Sequence, residues 1–319
     1  MQATARAQPN IALIKYWGKR DVERNLPAVG SISITLDALY TETTVDFGAS
    51  LDEDILTING EDNERGLGRV RRCLDSLAGT GRARARVTSE GNFPVAAGLA
   101  SSASGFSALV VAASAALKQE KSVDELAALA GMASGSAARS LYGGFVELAN
   151  TEKSIDVSTI RDADSWPLKV VIAITTTASK PVSSTEAMER SRQTSPFYER
   201  WVSDQPADLD LARQAIDDRD IEKLGAVSEH NCLKMHSVMW ASRPPAMYWN
   251  AATLECVSTV RALRAEGLGV FFTIDAGPQV KAVCLPENEA RVIDALSATP
   301  GVAEVRSTGL GAGARQVDA

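Results

Sequence analysis

The sequence predicts an α+β chain of two domains, on three observations. Its 319 residues exceed what one ordinary core needs, so two units are expected. Short β-branched or alternating apolar runs crowd the first half, at 10–17, 31–36, 40–47, 54–58 and 84–89. Beyond about residue 180, where the domain boundary is expected, helical periodicity takes over. Strands and helices are thus segregated rather than alternating along the chain. The expected units are 1–180 and 181–319.

The elements follow in order. Helices are predicted at 65–77, from about 101 to 117, and at 123–132, the last with Ser122 as N-cap and Asp124 and Glu125 in its first turn. Gly143-Gly144 breaks the chain before a strand at 145–149, and 168–175 is a strongly apolar strand. Helices are then expected at 184–192, 195–202, 208–216, 220–239, 246–266 and 287–297, with strands at 270–274, 280–285 and 302–307.

Composition narrows the function. Hydrophobic residues at 45% and charged residues at 23% are ordinary for a globular protein. A net charge of −7 argues against nucleic acid as partner but leaves room for a small anion held by a few local cations. No run reaches the roughly 20 apolar residues that span a bilayer. The N-terminus has no secretory pattern. Cys73, Cys232, Cys256 and Cys284 are scattered without ligand spacing, so a cytoplasmic location with reduced thiols is expected. His230 and His236 are poorly spaced for a chelate.

Four segments carry chemistry. The first runs from Pro94 through Val95, Ala96, Ala97, Gly98, Leu99 and Ala100 to Ser101 and Ser102. Gly98 and its small neighbours leave backbone N–H groups uncovered, and the helix that follows points its positive end at that space. This suits a phosphate, with serine hydroxyls for phosphate or Mg2+; it also suits a tight turn into a closely packed helix. No Walker lysine follows. The second is Lys15-Tyr16-Trp17-Gly18-Lys19-Arg20, cations just after an apolar strand, readable as a polyphosphate clamp or as a solvated strand end. The third, Ser134-Gly135-Ser136-Ala137-Ala138-Arg139, ends in an arginine able to fork a carboxylate or to sit on the surface. The fourth puts Asp275 at a strand end before Ala276-Gly277-Pro278, as a site acid or a turn former.

Together these segments resemble the mevalonate diphosphate decarboxylase family of the GHMP kinase superfamily. The first matches Pro-x-x-x-Gly-Leu-x-Ser-Ser-Ala at every position, while Lys15-Tyr16-Trp17-Gly18-Lys19 and Arg139-Ser140-Leu141-Tyr142-Gly143-Gly144 are specific to this branch. Further matches are Leu26-Pro27, the 31–36 strand, Ser183-Ser184-Thr185, Thr194-Ser195, and His236 with Pro244-Pro245. The resemblance implies a two-domain GHMP kinase fold, an N-terminal mixed α/β domain with a left-handed crossover and a ferredoxin-like C-terminal domain.

It also implies ATP-dependent decarboxylation of mevalonate 5-diphosphate to isopentenyl diphosphate, with Mg2+ and a homodimer. Residue roles come with it. Asp275 would orient or deprotonate the 3-hydroxyl, and Lys15 would hold it ionised or stabilise the transferring phosphoryl group. Tyr16 and Lys19 would bind the 5-diphosphate, with Ser134, Ser136 and Arg139 on the substrate and Arg139 on its carboxylate. Pro94, Ala97, Gly98, Leu99, Ala100, Ser101 and Ser102 would bind ATP, with Ser102 also on Mg2+. Gly30-Ser31, where the family usually has an asparagine or aspartate beside the serine, and Ala133, where a glycine often precedes the first serine, depart from the pattern. The 59–72 region has no match. The alternatives are a mevalonate 5-phosphate decarboxylase, a 3-kinase, or a non-catalytic binding protein on the same scaffold. The run at 309–315 is readable as a phosphate nest or as a flexible tail or turn.

Overall fold

A computed structural model describes residues 1–48, 51–93, 101–178 and 180–317. The first part runs β1 (Gln2–Ala7), β2 (Asn10–Ile14), β3 (Lys19–Asp21), β4 (Leu26–Pro27), β5 (Ser31–Thr35), β6 (Thr41–Asp46), β7 (Ile55–Ile58), β8 (Glu61–Asp62), α1 (Glu64–Ala78), β9 (Arg86–Gly91), α2 (Ser101–Ala116), α3 (Val123–Ala133), β10 (Phe145–Asn150) and β11 (Ile155–Arg161). The second runs β12 (Lys169–Ile174), α4 (Ser184–Thr194), α5 (Tyr198–Asp218), α6 (Ile221–Trp240), α7 (Ala251–Ala265), β13 (Val270–Thr273), β14 (Val280–Cys284), α8 (Glu289–Ser297), β15 (Glu304–Thr308) and β16 (Arg315–Val317).

Three larger sheets result, ordered β16-β1-β6-β9-β7-β8, β11-β10-β5-β2 and β13-β14-β12-β15. The first packs its apolar face on α1 and α2, and α3 packs against those two helices. The helix α2 is buried almost all round, as its run of Ala, Ser and Val requires. A second core joins Ile11, Ile14, Ile32 and Ile34 of β2 and β5 to Val170, Ile172, Leu209 and Ile216 of β12 and α5. The two halves therefore meet along β2 and β5, both buried on every residue. Ser122 caps α3 in a reciprocal box with Glu125, as its sequence predicts.

Several expectations shift. The strand β12, placed by sequence in the first unit, pairs with β14 and β15 of the second. A division at 180 would cut that sheet, so we propose to draw it at 162–168. Where two helices were expected across 195–216, α5 runs unbroken through Pro206. The missing N–H there is outweighed by side-chain anchorage, because Gln205 is buried and donates to the carbonyls of Lys15 and Gly30. The helix α7 begins at Ala251 rather than 246, where Asn250 and Thr253 form a capping box.

The C-terminal glycine run forms neither nest nor tail. Gly311 N–H donates to the Thr35 carbonyl, Gly144 N–H to the Gly311 carbonyl and Ala314 N–H to the Ser140 carbonyl, and β16 then pairs with β1. A Cβ on Gly313 would lie 2.2 Å from the Leu141 carbonyl oxygen, so the strap lies directly on backbone. Gly313→Ala is expected to lower unfolding free energy by about 1–3 kcal/mol, the cost of overpacking; urea denaturation of both proteins checks it.

Candidate active site

The site begins at the end of β2. Five fully buried residues deliver the chain to Lys15, whose backbone is pinned from both sides. Its N–H donates to Asn231 Oδ1 at 2.7 Å, and its carbonyl accepts from Gln205 Nε2 at 2.8 Å. Asn231 is itself bonded to Gln205 and Asp208, so α5 and α6 together fix where Lys15 leaves the strand. The Lys15 side chain is 1% exposed, and Nζ donates to the Ala12 carbonyl and to Asp275 Oδ1, both within 2.8 Å.

Asp275 follows β13 and keeps 24% of its side chain exposed. The Lys281 ammonium of β14, wholly buried, lies 3.3 Å from its second oxygen. Burial alone would raise the Asp275 pKa, but the two ammonium groups outweigh it and hold the carboxyl well below its usual range. Cys232 on α6 bonds both the N–H and the carbonyl of Ile274, fixing the residue before Asp275. Lys180 reaches the same corner, its ammonium donating to Ser184 Oγ and the Ala276 carbonyl.

Arg139 sits in a short 3₁₀ turn, Ala137–Leu141, and is 2% exposed rather than on the surface. The period-2 alternation of β5 turns Ser31 and Ser33 to one face, where they accept from its guanidinium at 2.6 and 3.0 Å. Asn10 Oδ1 accepts from Nη2 at 3.1 Å. Every one of these acceptors is neutral, and no salt bridge to Arg139 occurs among the described residues. Burial accordingly pushes its pKa down to about 10.

Tyr16 carries the chain toward the serine loop. A Cβ on Gly135 would lie 2.2 Å from Tyr16 Oη, so the glycine lets the ring approach the serine loop backbone closely. Burial raises the Tyr16 pKa to about 12, leaving a neutral hydroxyl with no hydrogen-bond partner among the described residues. Ser134 Oγ lies 3.5 Å from Ser136 Oγ and 3.4 Å from Ser102 Oγ, so the second serine loop touches the start of α2. Lys19 lies half-buried; burial and the nearby Arg69 lower its pKa.

Of the expected phosphate loop, Ser101 and Ser102 open α2, whereas Pro94, Ala97, Gly98, Leu99 and Ala100 lie outside the described residues. Ser101 and Ser102 edge a pocket with apolar walls of Leu56, Ile58, Val70, Phe106 and Leu109. Arg69 lines it too, stacked 4.7 Å over Phe106 and donating to the Ala133 carbonyl at 2.7 Å. This pocket includes Gly66, Arg69 and Val70, from the stretch where the sequence carries no recognisable pattern.

Lys281, Lys180, Arg69 and Asn231 escape the sequence reading. Lys281 had a signal: it interrupts the apolar run of β14 just as Lys15 follows that of β2. His236 is buried against Trp240 and Trp249, and burial lowers its pKa to about 3, so it is a neutral core ring. Among the described residues no group of three or more His, Cys, Asp or Glu stands ready for a metal.

A family model for the diphosphomevalonate decarboxylase-like N-terminal domain matches residues 7–160, and one for the mevalonate 5-diphosphate decarboxylase C-terminal domain matches 170–309. The chain is 36% identical to diphosphomevalonate decarboxylase of Saccharomyces cerevisiae, over 91% of this chain and 79% of that protein. It superposes on mevalonate diphosphate decarboxylase from Staphylococcus aureus with a TM-score of 0.92 and 34% identity, covering 99% and 98% of the two chains. It also matches MDDEF in complex with MVAPP, AMPPCP and magnesium, with a TM-score of 0.92, 36% identity, and coverage of 100% and 99%.

Proposed function

The chain belongs to the diphosphomevalonate decarboxylase family, and on that footing we propose that it is an ATP-dependent decarboxylase converting mevalonate 5-diphosphate to isopentenyl diphosphate, ADP, phosphate and carbon dioxide. One observation carries the assignment of roles: a buried arginine with only neutral partners stands beside an aspartate gripped by two buried lysines. Lys15, Lys180, Lys281 and Arg139 face the single carboxylate of Asp275, four positive charges against one negative, a local surplus of three. Such a corner favours a polyanion, and MDDEF holds MVAPP, AMPPCP and magnesium together.

The roles follow from the chemistry. Asp275, an unprotonated acceptor, takes the hydrogen bond of the 3-hydroxyl and aims its oxygen at the γ-phosphoryl group; the proton passes to the Asp275 carboxylate as the new O–P bond forms and the bond from the γ-phosphorus to the bridging oxygen breaks, releasing ADP. Lys15 and Lys180 offset the charge gathering on the transferring group. Arg139 forks the substrate carboxylate. In the second step the electrons of the breaking carbon–carboxylate bond form the alkene as the 3-phosphate departs. A tight grip on the carboxylate would oppose that flow, so Arg139 aligns it, while the lysines stabilise the departing phosphate. Tyr16 Oη, Lys19, Ser134 and Ser136 hold the 5-diphosphate.

ATP fits the remaining features: the apolar pocket takes the adenine, and Ser101 and Ser102 at the start of α2 take phosphates. Mg2+ supplies charge neutralisation on the phosphates. It keeps most of its water and needs few protein ligands, so Ser102 is a sufficient protein neighbour. The reading extends to a cytosolic homodimer with neither nucleic acid nor membrane as partner. The four buried free thiols suit a reducing compartment, and no helix among the described residues is long and apolar enough to cross a membrane.

The test is to supply ATP and Mg2+ with mevalonate, its 5-phosphate or its 5-diphosphate and follow ADP and carbon dioxide together. Matched release from the 5-diphosphate is expected. Matched release from the 5-phosphate alone would move the substrate, and ADP without carbon dioxide would make the chain a kinase.

A further inference from the structure

We propose that Lys281 is a positioning residue for this reaction: by holding Asp275 Oδ2 while Lys15 holds Oδ1, it fixes the carboxylate plane and presents one oriented acceptor to the 3-hydroxyl. The inference rests on the proposed decarboxylase reading and deepens it. Lys281 is the second residue of β14, in register with Thr273 of β13 and Ile172 of β12, and is 0% exposed. Its strand neighbours Val280, Ala282, Val283 and Cys284 are apolar and buried, so an apolar side chain would satisfy the strand. An ammonium group wholly removed from water is tolerated only when paired. It forms an ion pair with Asp275, 3.3 Å away.

One lysine is not enough for the task. A carboxylate held by a single oxygen still turns about its last torsion, which is broad and weakly restrained. The Lys15 ammonium, from the end of β2, hydrogen-bonds Oδ1, and the Lys281 ammonium, from β14, forms an ion pair with Oδ2 at 3.3 Å, so a positive charge stands against each oxygen and restricts that turn. The second cation also offsets the incoming phosphates, whose negative charge would otherwise drive Asp275 toward protonation and silence it as an acceptor. The other titratable groups facing this corner do not duplicate it. Lys180, from the segment before α4, bonds Ser184 and Ala276; Arg139 bonds Asn10, Ser31 and Ser33; Cys232 and His236 on α6 are neutral.

The experiment compares wild type with Lys281→Met and Lys281→Gln. Both variants leave Asp275 paired with Lys15, so no orphaned carboxylate is created. The expected kcat falls between about tenfold and a hundredfold, the scale of a misoriented catalytic group. KM for mevalonate 5-diphosphate stays within about twofold, since Lys281 does not touch it. The acid limb of kcat moves to higher pH, because Asp275 has lost one of the two cations that keep it ionised. In the Asp275→Asn background the Lys281 substitution causes no further loss, as expected of a residue acting through Asp275. Wild-type kcat and acid limb in both variants would overturn the proposal, as would a full additional loss in the double variant.

A readout independent of turnover is carbon-13 NMR of aspartate-labelled protein. The Asp275 carboxyl, assigned by its loss in Asp275→Asn, titrates at higher pH in Lys281→Met than in wild type; an unchanged titration overturns the pairing. A wild type silent on mevalonate 5-diphosphate with a shifted Asp275 titration would remove the decarboxylase reading and keep the pairing.

Discussion

Replacing Asp275 by asparagine lowers kcat at least about 10²- to 10⁴-fold, the range for loss of a general base or its equivalent. The amide keeps the shape of the side chain and removes the charge that Lys15 and Lys281 surround, 1% and 0% exposed. The same change destabilises the empty protein, because two buried ammonium groups lose their anion. Breaking a buried pair costs about 3–5 kcal/mol, and the lower end applies here because Asp275 is only partly buried. The sign with pH follows. Without the carboxylate that opposes it, burial lowers the folded-state pKa of Lys281 further below its unfolded value, so the unfolded chain binds more protons and stability rises with pH. The deficit is therefore largest at neutral pH and shrinks toward the ordinary lysine range. Urea denaturation of both proteins at pH 7 and pH 9 measures it; an equal deficit at the two values would contradict the pairing.

Arg139→Met gives the opposite balance of stability and function. Its kcat/KM for mevalonate 5-diphosphate falls about 10²- to 10³-fold, as when an oriented donor to a reacting anion is removed. The empty protein keeps its stability to within about 1 kcal/mol. Relief of a buried charge with no counter-ion favours the variant, while loss of the bonds to Asn10, Ser31 and Ser33 opposes it. Ligand then separates the two proteins. At 100 times its Kd, mevalonate 5-diphosphate stabilises the wild type by about 2.7 kcal/mol, and at the same concentration it leaves the variant nearly unmoved. Thermal unfolding with and without substrate checks both halves.

The legible parts of the site were those where a charge sits against an apolar background. Lys15 after β2 and Asp275 after β13 stood out for that reason, and the structure joins them at 2.7 Å across 260 residues of chain. Lys281 carried the same mark within β14, yet one lysine in a strand is also how an edge strand protects itself, and only the sheet order shows β14 to be internal. Arg139 could be read either way, because its acceptors Ser31 and Ser33 lie more than a hundred residues away and look like ordinary strand residues. Arg69 had no local signal, since its role depends on α1 packing beside α2 and α3. The same limit governs the fold. Pro206 reads as a break because the helix loses one bond there, whereas the bonds from Gln205 that hold the helix on course are tertiary. The glycine run at 309–315 reads as slack because the backbone that requires its glycines, at Leu36 and Leu141, is remote in sequence.

The central claim is that one site couples phosphoryl transfer to loss of the carboxylate. A single turnover tests it most directly, with enzyme in excess over mevalonate 5-diphosphate and ATP and Mg2+ saturating, quenched over time and assayed for ADP and carbon dioxide. One ADP and one carbon dioxide per substrate, with carbon dioxide never ahead of ADP, is the predicted result. ADP released in full while the carboxylate stays on the product would contradict the account.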